Sequence, residues 1–359
     1  MKVAIVNDLA VACEALRRVV ASDAALEVAW IARDGDEAVA KARAARPDLV
    51  LMDLIMPRVD GVAATREIMR VAPCPILVVT ATVSGNAGLV YEALGAGALD
   101  AVNTPTLGRD GTVAGGAELL RRIHLVERAM ASAPKPRVPD APRAGPEPEG
   151  LARAETPERA TPAAPRPMRA DSPPLVAIGA STGGPRAVAS VLRALPRPLR
   201  AAVLLVQHVS HDFVAGYADW LRDETGHRVA IATPGERPVP GTVLVADGRR
   251  HLVLRADGAI DCTDSPADLV HRPSVDVLFR SLVAAPRPGV AILLTGMGRD
   301  GAEGLAALRA AGWHTVAQDE ATSVVWGMPG AAVRLGAARE VLALDAIGPA
   351  TARALGEMA

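Results

Sequence analysis

Short runs of consecutive apolar, mostly β-branched residues punctuate the first third of the chain: Val3–Val6, Leu49–Met52, Ile76–Val79 and Leu99–Val102. Between them lie Cys13–Val20, Asp36–Ala45 and Val62–Met69, where apolar positions recur at helical spacing. Runs without polar alternation predict strands buried on both faces, and their alternation with helices predicts a parallel sheet covered on each side. The same rhythm returns in LVAIG (175–179), AAVLLVQ (201–207), Thr242–Ala246, GVAILLTG (289–296) and a strand near His314–Ala317, with helical segments at Arg186–Leu195 and Ala302–Ala311. The predicted fold is therefore α/β: two doubly wound parallel-sheet domains, the second larger, each with its ligand crevice at the C-terminal strand ends. No repeat of about 20–50 residues is evident.

From Ala131 to Asp171 the pattern stops, and prolines with charges of both signs replace it. Such a stretch buries too little to fold and favours an extended, semi-rigid spacer. The organisation read from the chain is a first domain over 1–130, a Pro-rich linker over 131–172 and a second domain over 173–359.

Composition narrows the function classes. With 39 Lys+Arg against 40 Asp+Glu the formal net charge is −1, so no basic excess drives binding along a nucleic-acid backbone. Aromatic residues make up 2%, which leaves little for stacking on bases. The three cysteines, Cys13, Cys74 and Cys262, form no CxxC pattern, and a reducing cytoplasm is the expected setting. The longest charge-free stretch, Val71–Tyr91, is broken by Pro73, Pro75, Gly85 and Gly88, so no direct membrane insertion is expected.

Two carboxylates, Asp8 and Asp53, fall just after the runs Val3–Val6 and Leu49–Met52, where an open sheet presents side chains to its crevice. A pair of this kind can hold one Mg²⁺ with waters and a backbone carbonyl, neutralising a phosphoryl group that arrives at one of them. Asp53 is the better nucleophile, because the MPRVDG turn after it is expected to leave its carboxylate accessible. Taken alone, Asp53 could equally cap the helix that begins near Gly61.

In the second domain GASTGGP (179–185) follows a strand and precedes a helix, which places Ser181 on a tight turn with backbone N–H groups aimed at any developing anion. An ordinary helix cap and a phosphate cradle are the competing readings of that loop. A cradle would need a G-x-G-x-x-G or Gly-Lys-Ser/Thr pattern, and neither is present. A serine needs a base, and His208 ends the strand AAVLLVQ on the same sheet edge, whereas His211 lies beyond it in the following loop. His271, in HRPSVD, is placed in the cleft. TGMGRDG supplies Asp300 to orient an imidazole, and its Gly-Met-Gly turn lets a backbone N–H at Met297 approach a tetrahedral oxyanion. The order Ser, His, Asp differs from that of the α/β-hydrolases, so the G-x-S-x-G match does not indicate a lipase.

The first ~125 residues resemble the receiver domain of bacterial two-component response regulators, with Asp8, LMDLIMPRVDG and Thr80 at the expected places. The resemblance implies that Asp53 accepts phosphate from a histidine kinase, with Mg²⁺ held by Asp8, Asp53 and the carbonyl of Ile55. It departs from the usual receiver in Asn7-Asp8, in Thr104 where a Lys usually precedes Pro, and in Ala101 at the aromatic switch position. Residues ~175–359 resemble the catalytic domain of the CheB family of chemotaxis protein-glutamate methylesterases, through VAIGASTGGP, LLVQHVSHDF, HRPSVDVLF, ILLTGMGRDG and AQDEATSVVWGMP in order. The resemblance implies hydrolysis of glutamate γ-methyl esters on the cytoplasmic helices of methyl-accepting receptors, with glutamine deamidation as a second reaction. It makes Ser181, His208 and Asp300 the triad, with Met297 in the oxyanion hole and Thr182 beside the nucleophile, and the hydrolysis needs no cofactor. VNDLAVACEALRR and DAVNTP look more like the Wsp-type branch, linked to surface sensing, than like flagellar chemotaxis members. A reading from another class is a signalling adaptor that binds receptor and kinase without turnover.

Overall fold

The computed structural model describes residues 1–80, 87–108, 112–131, 172–209, 211–269 and 271–357. The first domain begins β1 (Lys2–Val6), α1 (Ala10–Ala21), β2 (Glu27–Ala32), α2 (Gly35–Ala44), β3 (Leu49–Met52) and α3 (Gly61–Val71). It continues β4 (Ile76–Thr80), α4 (Ala87–Ala96), β5 (Asp100–Asn103), a small hairpin of β6 (Thr106–Leu107) and β7 (Val113–Ala114), and α5 (Gly116–Ala131). Its five parallel strands stand in the order β2-β1-β3-β4-β5. The order reverses between β1 and β3, and the crevice of such a sheet opens at that point, which is where Asp8 and Asp53 leave their strands. β1, β3 and β4 are buried almost throughout because helices cover both faces.

The second domain opens with β8 (Leu175–Ala180), α6 (Gly184–Arg193), β9 (Ala202–Gln207), α7 (His211–Thr225), β10 (Arg228–Ile231) and β11 (Thr242–Val245). A hairpin of β12 (His251–Leu254) and β13 (Ile260–Thr263) precedes α8 (Val275–Ser281), β14 (Val290–Leu293) and α9 (Ala302–Ala310). β15 (His314–Gln318), α10 (Met328–Arg334), β16 (Glu340–Leu342) and α11 (Leu344–Glu357) complete it. The seven parallel strands run β10-β11-β9-β8-β14-β15-β16. Chain direction across the sheet reverses beside β8, so the loops after β9, β8 and β14 share one rim.

The expected doubly wound α/β architecture is what the chain adopts. Most of the 131–172 linker lies outside the described residues. Among the described residues no helix is long and apolar enough to cross a membrane.

The two domains dock through α4 of the first against α7 and α6 of the second, and α5 borders the cleft beside them. Both tyrosines of the chain meet there: the Tyr91 ring lies 5.0 Å from Tyr217 and 5.9 Å from Trp220. Gly95 allows the approach, since a Cβ there would sit 3.2 Å from the Trp220 ring. The Leu99 carbonyl, at the start of β5, accepts a 3.4 Å hydrogen bond from the Gly183 N–H beside Ser181.

Candidate functional site

The serine loop is held without its hydroxyl. Ser181 N–H donates to the Thr295 carbonyl at 3.0 Å, and its own carbonyl accepts from Gly184 N–H at 2.8 Å. Gly183, not Ser181, occupies the N-cap of α6, and its φ of 76° is the left-handed conformation that glycine adopts without strain. A Cβ at Gly183 would also run into Val324, 2.6 Å away. The helix-cap reading of Ser181 therefore fails, and its side chain is left for the cleft.

His208 follows β9, with its N–H bonded to the Ala180 carbonyl at 3.0 Å, which ties it to the strand that carries Ser181. Its Nε2 lies 2.8 Å from Asp300 Oδ2. Asp300 caps no helix of its own, because Gly301 stands at the N-cap of α9. Instead it accepts from the start of α8: Ser274 Oγ at 2.7 Å, Val275 N–H at 2.7 Å and Asp276 N–H at 3.0 Å. Burial alone would raise the Asp300 carboxyl, yet the His208 imidazole, the Asp276 N–H and the Ser274 hydroxyl together hold it well below the ordinary carboxylate range.

With Nε2 committed to Asp300, Nδ1 is the ring nitrogen left to act as base. It is buried and makes no hydrogen bond among the described residues, so the link from Ser181 Oγ to the imidazole is open in this state. Catalytic hydrogen bonds often close only around substrate. Ser181, Thr182, His208, His271 and Met297 line one cleft of ≈ 510 Å³. Gly296 brings the Met297 turn against the serine: a Cβ there would stand 2.7 Å from that of Ser181. His271 stacks on His208, rings 4.3 Å apart and 12° from parallel. Burial, then the neighbouring His208, lowers its pKa and favours a neutral ring covering the face of the His208 imidazole.

The other histidines have structural partners. His211 Nδ1 meets the Asp247 carbonyl at 2.7 Å and His227 Nε2 the Leu192 carbonyl at 2.9 Å. His251, which strand position alone did not single out, supports the site from behind. Its Nδ1 accepts the Ser274 N–H at 3.0 Å while Nε2 lies 3.1 Å from the Pro266 carbonyl, so it steadies the residue that holds Asp300. Arg122 is a second residue that sequence reasoning missed. Carried by α5 and paired with Asp100 and Glu118, it lines the same cleft as Ser181.

In the first domain the expectation of an accessible Asp53 is corrected: the residue is 8% exposed. The turn after it folds back, with Gly61 N–H on the Leu54 carbonyl at 2.9 Å. Asp60, not Asp53, caps α3 through the Ala63 N–H. Asp53 accepts from Asn7 Nδ2 at 2.8 Å and Leu54 N–H at 2.7 Å. Burial pushes its pKa up to about 6; the Leu54 and Ile55 N–H groups oppose the rise and the Asp8 charge adds to it. A raised carboxyl of this kind contributes stability below its ordinary value of 3.8, and that contribution is lost as pH rises through about 6. The Thr104 hydroxyl is buried without a partner beside Thr80, whose carbonyl accepts the Thr104 N–H at 3.0 Å.

The set around Asp53 suits a hard cation. Two carboxylates repel across the crevice, and Mg²⁺ favours carboxylate and carbonyl oxygens.

Comparison with known proteins gives two family matches: CheB methylesterase over residues 176–351 and response regulator receiver domain over residues 3–109. The chain is 46% identical over 352 residues to protein-glutamate methylesterase/protein-glutamine glutaminase 1 of Cupriavidus pinatubonensis, covering 97% of this chain and 96% of the relative. It is 50% identical over 352 residues to a second protein of that description from Burkholderia lata, again covering 97% and 96%. A third, from Burkholderia thailandensis, is 48% identical over 348 residues, 97% of this chain and 95% of the relative.

Proposed function

Because this chain belongs to the CheB methylesterase family, at 46–50% identity over 97% of its length, we propose that Ser181, His208 and Asp300 hydrolyse glutamate γ-methyl esters on cytoplasmic receptor helices. Glutamine deamidation at the same site follows the same chemistry. The observation that carries the reading is the His208–Asp300 pair, 2.8 Å apart, in one cleft with a serine hydroxyl that no structural hydrogen bond uses.

Ser181 Oγ attacks the ester carbonyl as His208 Nδ1 takes its proton. Asp300 keeps the other ring proton on Nε2 and stabilises the imidazolium. The Met297 N–H faces the oxyanion, and Thr182 adjoins it. Methanol leaves with the proton from His208, and water then cleaves the acyl-enzyme by the same base. His271 keeps the face of the imidazole dry and its plane fixed.

The first domain regulates this chemistry. A histidine kinase of the cytoplasmic signalling pathway is the phosphate donor to Asp53. Asp8, Asp53 and the Ile55 carbonyl would hold the Mg²⁺, which when bound neutralises charge on the incoming phosphoryl group. The pathway assignment, Wsp-type surface sensing, rests on VNDLAVACEALRR and DAVNTP. In the docked state Arg122 reaches the catalytic cleft and the Leu99 carbonyl occupies an N–H of the serine loop. This interface is built to part, because the Tyr91 and Tyr217 hydroxyls are both buried in it without a partner among the described residues. Each unsatisfied hydroxyl costs about 1–3 kcal/mol and regains water on separation. Every ~1.4 kcal/mol of docking energy changes activity tenfold.

Methanol release from methylated receptor membranes, with and without a small phosphodonor, tests enzyme and control together. Wild type is expected to rise by about tenfold or more with the phosphodonor, whereas Asp53→Ala stays at its basal level. Equal stimulation of both proteins would remove Asp53 from the control. Labelling of Asp53 by the small phosphodonor is expected to depend on Mg²⁺, and a wild type left unlabelled by both a kinase and the phosphodonor with Mg²⁺ present would remove Asp53 as the phosphate acceptor.

A further inference from the structure

Gln207 is the last residue of β9, one position before His208, and is 4% exposed. Its Nε2 donates to the Ser181 carbonyl at 2.8 Å and lies 3.4 Å from the His208 carbonyl, so one amide spans the backbones of nucleophile and base. The other end of the amide is left without satisfaction. Oε1 is buried with no partner among the described residues, against Gly184, where a Cβ would come within 2.1 Å of it. Turning the amide over would bring Oε1 against two carbonyl oxygens, so the orientation is set by those acceptors. The fold thus keeps an unpaired buried acceptor in order to keep a donor on the Ser181 carbonyl. The fold does not need that donor, because Gly184 N–H already satisfies this carbonyl at 2.8 Å. Unsatisfied polar groups held in this way are expected where geometry serves function.

We infer that Gln207 is a positioning residue for ester hydrolysis, an inference that rests on the esterase reading above. In a trans peptide the N–H points away from the preceding carbonyl. Anchoring the Ser181 carbonyl on Gln207 therefore aims the Thr182 N–H in the opposite direction, toward the cleft that Thr182 lines. The Thr295 hydroxyl holds the next carbonyl, that of Thr182, at 3.0 Å, so the peptide planes on both sides of Thr182 are fixed by buried side chains. The N–H of the residue after the nucleophile is the donor that a G-x-S-x-G turn offers to an oxyanion. Gln207 sets its direction and acts only through it, without touching the ester.

The test uses the full chain activated by the phosphodonor, with Gln207→Met and Gln207→Leu. Both keep the apolar bulk, delete the donor and also remove the unpaired acceptor. A misaimed oxyanion donor should lower kcat for methanol release by about 10- to 100-fold with KM nearly unchanged. The midpoint of thermal unfolding should stay level or rise, because Ser181 retains its Gly184 bond. The acid limb of the pH profile should not move, since the hydrogen bonds of the Gln207 amide go to the Ser181 and His208 carbonyls and to neither the imidazole nor Asp300. A variant with wild-type kcat would overturn the inference, and so would a loss of kcat that only tracks a fall in thermal stability. Wild type that releases no methanol would overturn the esterase reading and this one with it, whereas active wild type beside an equally active Gln207→Met sinks this one alone.

Discussion

Ser181→Ala is expected to lower methanol release by about 10⁴-fold or more, with the fold and receptor binding left nearly intact. The size follows from covalent catalysis: without the hydroxyl no acyl-enzyme forms, and only the oxyanion donors and substrate placement remain. Preservation of the fold follows from how the loop is held. Its hydrogen bonds run through the Ser181 N–H and carbonyl, its turn through Gly183, and none through Oγ. The stability change should therefore stay within about 0.5 kcal/mol, as for substitutions that touch no structural contact. The measurement is methanol release beside receptor co-sedimentation, with urea unfolding as the control. An adaptor that binds without turnover predicts no methanol from wild type either. Sustained release by Ser181→Ala would remove the nucleophile assignment outright.

The sequence revealed the interior of each sheet better than its margins. β1, β3, β4, β8, β9, β11 and β14 are buried on both faces and read as unbroken apolar runs. The strands of the two large sheets that reading missed, β2, β10 and β16, are sheet edges whose half-exposed residues, such as Glu27, Arg228 and Glu340, break the run. α4 was missed for the opposite reason. Packed between the first sheet and α7, it is apolar on more than one side and shows no stripe. That is also why the docking face was invisible: Tyr91, Tyr217 and Arg122 lie far apart in the chain, and nothing local marks them as neighbours.

The candidate site was legible where it follows from strand ends. His208, Ser181 and the Met297 turn each leave a β-strand on the same rim, so topology alone brings them together. Their supports were not legible. His251 reaches Ser274 from a hairpin, and Gln207 acts through a side-chain amide whose direction no sequence pattern encodes. Asp53 was placed at its strand end, but its burial, with Asn7 Nδ2 and the Leu54 N–H on its carboxylate, comes from packing that no local pattern encodes.

Asp300→Asn should lower kcat by about 10³- to 10⁴-fold, nearly as much as loss of the nucleophile. As a carboxylate, Asp300 accepts two donors on each oxygen: Ser274 Oγ and Asp276 N–H on Oδ1, His208 Nε2 and Val275 N–H on Oδ2. Asparagine keeps one accepting oxygen, so its NH₂ group must face one of these donor pairs. At the Oδ2 position the NH₂ confronts the fixed Val275 N–H and is received by His208 only if Nε2 gives up its proton, which moves the proton to Nδ1 and removes the base from the serine. At the Oδ1 position it confronts the fixed Asp276 N–H and loosens the Ser274 contact that sets the carboxylate. The ionised Asp300 also contributes stability above the ordinary carboxylate range, lost only as strong acid protonates it, so the variant should unfold at lower urea. Methanol release is therefore to be compared where both proteins are fully folded by circular dichroism. A kcat within tenfold of wild type under those conditions would take Asp300 out of the triad and leave the His208 ring to be oriented by its stack on His271 alone.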